Sequence, residues 1–348
     1  MPSRTKHVIF VAPTWLGDAV MSLPLLGFIA ASPAVRMTVL SRAYAARVYC
    51  GMDAVADLVV GDGRSRPARV WGQGRLLKKL RADGAVILPP SFSSALGAFL
   101  AGVPVRVGFR SDARRFLLTT SPEVDGLRDE HLSHNYLRLG RALFERLGLP
   151  ADHSYTTPRV SVAVGERESL GALMRTLGVP NGGYAVVVPG ATYGPTKSWP
   201  KEKYRGLVGR LSSEIPVLLG GSAGERELCS TVGDGLANVF NLAGMTSLGQ
   251  FVALLGGARV LVANDSGSPH VAASLGVPVV VIFGSTSPRW TSPLGERVHV
   301  VTKPTHCSPC FLRECPTRLE CYERISVEKV FKTTRQVVKN GIEKNGRG

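Results

Sequence analysis

Short apolar runs that end in polar or glycine-containing turns alternate along this chain with stretches whose apolar residues recur every three or four positions. The runs at 7–12, 35–40, within 54–60 and at 84–88 read as strands covered on both faces, as in a parallel sheet. Helical patterns fall between and after them at about 19–31, 43–50, 70–82, 92–101 and 131–147. The rhythm then repeats, with strands at 184–188, 215–219, 260–263 and 279–283 and helices near 166–177, 201–213, 224–235, 247–256 and 268–275. Such alternation predicts an α/β protein with doubly wound sheets, helices lying on both faces of each. The pattern loosens from Leu149 to Gly165 and again at 180–183, which divides the chain into domains 1–165 and 166–348. Two similar halves facing a cleft are the simplest architecture. From Ser326 an apolar stripe at Val327, Val330, Phe331, Val337, Val338 and Ile342 predicts a long amphipathic helix, expected to pack back on the body, the first domain included.

Composition narrows the class. With 348 residues, 44% hydrophobic and 20% charged, the chain suits two folded domains, and no apolar run approaches the roughly 18 residues that span a bilayer. The basic start is followed by Asp18 within the first apolar stretch, so no secretory leader is read and a cytosolic protein with reduced thiols is expected. A net charge of +16 implies anionic partners and salt-dependent association. Phosphorylated substrates, an anionic membrane face and nucleic acid all qualify on charge. The absence of interleaved aromatics and of any helix-turn-helix, KH or RNP-like pattern argues against nucleic acid.

Four segments carry candidate chemistry. Asn264-Asp265-Ser266-Gly267-Ser268-Pro269-His270 joins a strand to a helix, a junction that aims backbone N–H groups and a positive dipole end at an anion. Pro189 to Pro200 forms the corresponding loop after the first strand of the second half. It offers Thr192, Thr196 and the mobile ammonium of Lys197, the natural group to stabilise a leaving diphosphate. Gly220-Gly221-Ser222-Ala223-Gly224-Glu225 follows another strand, and a carboxylate there can accept bonds from a ribose diol or simply cap its helix. In the first half, Trp15-Leu16-Gly17-Asp18 places a carboxylate at a strand–helix junction, where it is either a proton acceptor or a cap. His270 is a donor to phosphate or sugar, or a packed residue.

Basic residues crowd the first half, among them Arg64, Arg66, Arg69, Arg75, Lys78 and Lys79, with Arg106, Arg110, Arg114 and Arg115 beyond. They form either solvated surface or a platform for a polyanionic acceptor at a membrane, and Arg64, Arg66, Arg106 and Arg110 are the candidates for acceptor contact. Cys307, Cys310, Cys315 and Cys321 lie within fifteen residues. A tetrahedral metal site is compatible with the first pair, but the x5 spacing of the second is unlike a zinc ribbon, which leaves reduced thiols as the other reading.

In order and spacing, Pro13-Thr14-Trp15-Leu16-Gly17-Asp18, Pro189-Gly190-Ala191 with Lys197-Ser198-Trp199-Pro200, Ala263 to Gly267 with His270, Phe283 to Pro288, and Cys307-Ser308-Pro309-Cys310-Phe311 resemble the ADP-heptose:lipopolysaccharide heptosyltransferases of glycosyltransferase family 9. The cysteines fit the family's type II pattern better than type I. The resemblance implies a GT-B fold of two Rossmann-like doubly wound domains, with the acceptor on the first and ADP-heptose on the second. It implies an inverting, metal-independent transfer of L-glycero-D-manno-heptose to the lipopolysaccharide inner core, without a cofactor, by an enzyme peripheral to the cytoplasmic face of the inner membrane. Carried over by motif, Asp18 is the general base and Lys197 the phosphate contact, while Thr192, Glu225, Met245, Asp265, Ser266, Gly267 and His270 fall at nucleotide-sugar positions. Thr14 and Leu16 stand where Ser and Val are usual, and Ser268-Pro269 departs from the common pattern before His270. Two rivals follow: a transferase of the same fold with another acceptor or sugar nucleotide, and a basic nucleic-acid-binding protein with a zinc module at 306–321.

Overall fold

The computed structural model describes residues 4–61, 66–123, 126, 128–179 and 183–345. The chain divides into two compact units, Met1–Ser161 and Val162–Gly348.

In the first unit, β1 (Lys6–Val11) leads to α1 (Leu16–Met21) and α2 (Leu23–Ala30). There follow β2 (Val35–Arg42), α3 (Ala43–Ala46), β3 (Asp57–Gly61), α4 (Arg66–Leu80), β4 (Gly84–Ile87), α5 (Phe92–Leu100), β5 (Val105–Gly108), a 3-10 turn at Arg115–Leu117, and α6 (Leu132–Leu147). The strands form one parallel sheet in the order β3-β2-β1-β4-β5. Val8, Ile9 and Phe10 at its centre are wholly buried, as their apolar run requires. The helix expected at 19–31 is two helices, because Ser22 turns its hydroxyl back to the Ala19 carbonyl (2.7 Å) and Pro24 opens the next helix. The one expected at 43–50 stops at Ala46.

The second unit runs α7 (Val164–Thr176), β6 (Ala185–Val188), a 3-10 turn at Pro195–Lys197, α8 (Lys201–Leu211), β7 (Val217–Leu219), a 3-10 turn at Ala223–Glu225, α9 (Arg226–Gly233), β8 (Val239–Asn241) and α10 (Leu248–Gly256). It continues with β9 (Val260–Asn264), α11 (Gly267–Ser274), β10 (Val279–Phe283), α12 (Pro288–Thr291), β11 (Val298–Thr302), α13 (Glu320–Glu323) and α14 (Val327–Asn345). Its sheet is also parallel, in the order β11-β10-β9-β6-β7-β8. Both sheets therefore carry the Rossmann order, with a reversal of winding between β1 and β4 in one and between β6 and β9 in the other. The tail helix buries Val330, Thr334 and Val337 on one face against Tyr204 and Leu207 of α8, so it belongs to the core of its own unit.

Close packing of α2 on α6 depends on Gly140, where an added Cβ would come within 2.4 Å of Leu25 and 3.0 Å of Phe28, both buried. Helix propensity alone favours Ala over Gly by about 1 kcal/mol, but overpacking costs about 1–3 kcal/mol. Gly140→Ala is therefore expected to lower the urea midpoint. Gly72→Ala in α4, where a Cβ meets nothing within 4 Å, should raise it.

Candidate active site

Strand β9 ends in Asn264, which is wholly buried and ties the two loops of the switch point together. Its amide donates to the Pro189 carbonyl beyond β6 (2.7 Å) and its oxygen accepts from the Trp199 N–H (3.0 Å). Trp199 is in turn fixed by burial and by donation from its indole to the Ile325 carbonyl (3.1 Å). The loop between Pro189 and Trp199 is thus held at both ends, and it delivers Lys197 to the next residue of the other strand. The Lys197 ammonium lies 2.7 Å from an Asp265 carboxylate oxygen, which also accepts from the Thr286 hydroxyl at 2.7 Å. Asp265 is 3% exposed and Lys197 17%. A carboxylate so buried must be paired, and deleting one partner of a buried pair costs about 3–5 kcal/mol. The lysine retains an open side, where its remaining N–H donors can meet an anion.

Directly beyond Asp265, α11 starts without a side-chain cap: Ser266 occupies the N-cap but bonds no backbone N–H of the first turn, its hydroxyl lying instead 3.3 Å from that of Ser268. Pro269, the third helical residue, has no N–H to satisfy, so the orphan donors concentrate at Gly267 and Ser268. An uncapped helix end beside an ammonium is an arrangement suited to a diphosphate. His270 is buried in the same helix.

Glu225 and Met245 stand at the neighbouring strand ends. The Glu225 carboxylate accepts from the Ser222 N–H and hydroxyl (both 2.7 Å), a cap, and its other oxygen packs on Gly190, where a Cβ would clash at 1.8 Å. Met245 is half-buried in the turn after β8, and Gly244 there has φ +69° and lies against Ala223 with no room for a side chain. Thr192 is exposed. Thr196 is buried, and its hydroxyl is committed to the carbonyls of Leu312 (2.5 Å) and Arg313 (3.3 Å), so its place is within the loop framework.

At the switch point of the first unit, Asp18 is the third residue of α1 and half-buried. Burial first, and then the charge of Asp18, push the Tyr136 phenol far above its ordinary range. Tyr49 is raised by burial and by Asp18, against a bond to Ser22. Both phenols therefore stay neutral at any physiological pH. A cavity of about 50 Å³ opens nearby, lined by the polar residues Thr14, Ser41, Arg42, Ser91, Ser93 and Ser94.

The basic candidates separate. Arg64, and the side chain of Arg66, lie outside the described residues. Arg106 stacks on Phe99 (5.4 Å) and donates to the carbonyls of Val103 (2.5 Å) and Leu117 (2.7 Å), so its guanidinium ties down β5; burial lowers its pKa. Arg110 is exposed and 3.6 Å from Glu123. Arg114, expected either on solvated surface or on a platform for an anionic acceptor, is wholly buried and is neither. It donates to the carbonyls of Pro89, Ser91 (3.2 Å) and Phe109 (3.1 Å) and to the Ser94 hydroxyl (2.9 Å). Burial pushes it down to about 10, with Asp112 opposing. Arg114 thus clamps the serine loop after β4, a role that nothing in its sequence context distinguishes from that of Arg110 or Arg115.

Cys307, Cys310, Cys315 and Cys321 are free thiols. Among the described residues no group of three or more His, Cys, Asp or Glu is gathered to hold a metal ion, so the expectation of a possible four-cysteine metal site finds no assembled ligand set. The amides of Cys310 and Phe311 donate to the Ser285 carbonyl (3.0 and 2.9 Å), which lays this part of the loop along the end of β10; Cys307, Cys310 and Cys315 remain close enough for their charges to bear on Cys321, but not gathered as a ligand set. Burial raises the Cys321 thiol, whereas the Thr317 hydroxyl lowers that of Cys315.

A profile described as Glycosyltransferase family 9 (heptosyltransferase) matches residues 70–321. The chain is 31% identical to lipopolysaccharide heptosyltransferase 2 of Escherichia coli K12, over 84% of this chain and 87% of that one. It is 29% identical to lipooligosaccharide heptosyltransferase 2 of Haemophilus ducreyi, over 84% and 88%. Among solved structures it is similar to E. coli ADP-heptose lps heptosyltransferase II, with a TM-score of 0.79 and 27% identity over 96% of this chain and 99% of that chain. A family 9 glycosyltransferase of Veillonella parvula shares the fold, with a TM-score of 0.82 at 20% identity over 98% and 99%.

Replacing Arg114 by Met should cost about 3 kcal/mol or more in urea unfolding, since its charged hydrogen bonds go and the serine-loop carbonyls are left buried. Arg110→Met, at an exposed ion pair, should stay within about 0.5 kcal/mol of the parent.

Proposed function

The chain belongs to glycosyltransferase family 9, the heptosyltransferases, and from that premise we propose that it moves L-glycero-D-manno-heptose from ADP-heptose onto the heptose of the lipopolysaccharide inner core, the second heptose addition. The observation that carries this reading is the Lys197–Asp265 pair beside the uncapped start of α11, a cationic seat for the diphosphate of a nucleotide sugar. The names of the high-coverage relatives support the second addition over the first.

In this reading Asp18 takes the proton from the acceptor hydroxyl as its oxygen attacks the anomeric carbon. The bond from that carbon to the diphosphate oxygen breaks, and ADP departs with the electron pair. Lys197 and the Gly267 and Ser268 N–H groups take up the charge that develops on the leaving oxygens. A single displacement of this kind inverts the anomeric centre. Glu225 and Met245 are assigned to the nucleoside, His270, Ser266 and Thr192 to the donor's sugar and phosphates, and Arg64, Arg66 and Arg110 to the anionic acceptor.

The same reading places the enzyme at the cytoplasmic face of the inner membrane. No helix among the described residues is long and apolar enough to cross a bilayer. The first unit nevertheless exposes Phe116 (67%), Phe99 and Leu100 beside Arg110 and Arg115, while the neighbouring helix α4, packed on α5, presents Lys78 and Lys79. Apolar tips among cations suit an anionic lipid surface, each basic residue adding about 1 kcal/mol.

Mass spectrometry of truncated core acceptors incubated with ADP-heptose tests the transfer itself. One added heptose on a heptose-bearing acceptor, and none on a heptose-free one, is expected; the reverse selectivity would make this a first-addition enzyme. Asp18→Asn should reduce turnover by about 10²–10⁴-fold with ADP-heptose affinity retained, and surviving turnover would place the base elsewhere. Phe116→Ser should weaken sedimentation with phosphatidylglycerol vesicles, with little binding to phosphatidylcholine vesicles by either protein. Equal binding of parent and variant would remove this face from the contact.

A further inference from the structure

The loop that carries Lys197 is gripped by a segment more than a hundred residues later in the chain. Three consecutive carbonyls, those of Phe311, Leu312 and Arg313, accept from the Tyr193 hydroxyl (3.0 Å) and from Thr196 (2.5 and 3.3 Å). The grip is reciprocal, since Arg313 Nε donates to the Tyr193 carbonyl at 3.1 Å. Gly194 has φ +155°, and an added Cβ would stand 2.9 Å from the Arg313 carbonyl, so backbone meets backbone there. Two cations lie over the Tyr193 ring: the Lys197 ammonium is 5.2 Å from its centroid and the Arg313 guanidinium carbon 5.5 Å. Among the described residues Arg313 forms no ion pair with a carboxylate.

The gripping segment is itself anchored to the strand that serves Asp265. Ser308 donates to the Gly284 carbonyl (2.6 Å), and the Cys310 and Phe311 amides donate to Ser285. The next residue, Thr286, is the second partner of Asp265. Contacts therefore close a ring: Lys197 to Asp265, Asp265 to Thr286, along the chain to Ser285, across to 310–313, and back through Tyr193 and Thr196 to Lys197. Through this ring the strap links the Lys197 loop to the loop that supplies the second partner of Asp265.

We propose that the 308–313 segment is the element that positions Lys197, with Arg313 and Tyr193 as its positioning residues. The proposal rests on the diphosphate role given to Lys197 above. Arg313 acts through the Tyr193 ring and carbonyl, not by touching the reacting atoms. Without its side chain the Tyr193 carbonyl loses its donor and the ring one of its cations, so the loop leading to the Pro195–Lys197 turn is held here by the Tyr193 and Thr196 hydroxyls alone and directs the ammonium less firmly.

Calorimetric titration of the full-length protein with ADP tests this through a double-mutant cycle. Arg313→Ala is expected to weaken ADP about tenfold, with the melting temperature nearly unchanged because the side chain is exposed. The Arg313→Ala/Lys197→Ala pair should bind no more weakly than Lys197→Ala alone, and Arg313→Lys should recover part of the loss. Tyr193→Phe, which keeps the ring and deletes the bond to Phe311, should raise KM for ADP-heptose more than it lowers kcat. Unchanged affinity in Arg313→Ala, or a loss that adds in full to that of Lys197→Ala, would overturn the positioning role while leaving Lys197 on the diphosphate. If Lys197→Ala itself binds ADP like the parent, the diphosphate reading fails first and the positioning role falls with it.

Discussion

The second unit is organised around one buried negative charge. Asp265 sits at the carboxyl end of β9, in the position where a parallel sheet reverses its winding, and a carboxylate with so little solvent needs a cation and hydrogen bonds to stay ionised. Lys197 and Thr286 supply them from the loops after β6 and β10, the strands next to β9 on either side. Meeting that one requirement draws three loops to a common point and sets an ammonium beside the uncapped helix start of α11. In the proposed reaction this folding constraint also serves a departing diphosphate: Lys197, which satisfies Asp265, is the group that presents positive charge outward.

The first unit uses the same strand order for a different end. Its switch point carries Asp18 in the first turn of α1, with the neutral phenols of Tyr49 and Tyr136 in its field, and a cavity lined by hydroxyls and Arg42 nearby. Its own buried charge is positive. Arg114 is spent on carbonyls and a serine hydroxyl, so it shapes the loop after β4 without a carboxylate in direct contact. In the proposed function the second unit holds an anion and the first presents a proton acceptor.

Most of the strand framework was legible, because strands covered on both faces are continuous apolar runs such as Val279–Phe283 and Val260–Ala263. Strands at or near the sheet margins escaped: β5 alternates Val with Arg, β8 has three half-buried residues, and in β11 only Val301 is buried. The Lys197 and Asp265 loops were readable as strand-to-helix junctions, but their direct pairing was not, since sequence spacing does not show which loops the crossing order makes neighbours. Thr286 could have been found, as the third residue past a predicted strand that adjoins β9. Arg114 and the 308–313 strap could not. A buried arginine looks like a solvated one in a basic loop, and carbonyl acceptors leave no trace in side-chain identity. The cysteines drew attention to the strap for a metal, whereas the backbone between them does the positioning.

The claim on which the rest turns is that Lys197 and the start of α11 together hold the leaving diphosphate. A crystal structure of the protein with ADP tests it most directly. Diphosphate oxygens about 3 Å from Lys197 Nζ and from the Gly267 or Ser268 amide nitrogens are the predicted result. ADP bound with its phosphates away from β9, and Lys197 touching Asp265 alone, would contradict it.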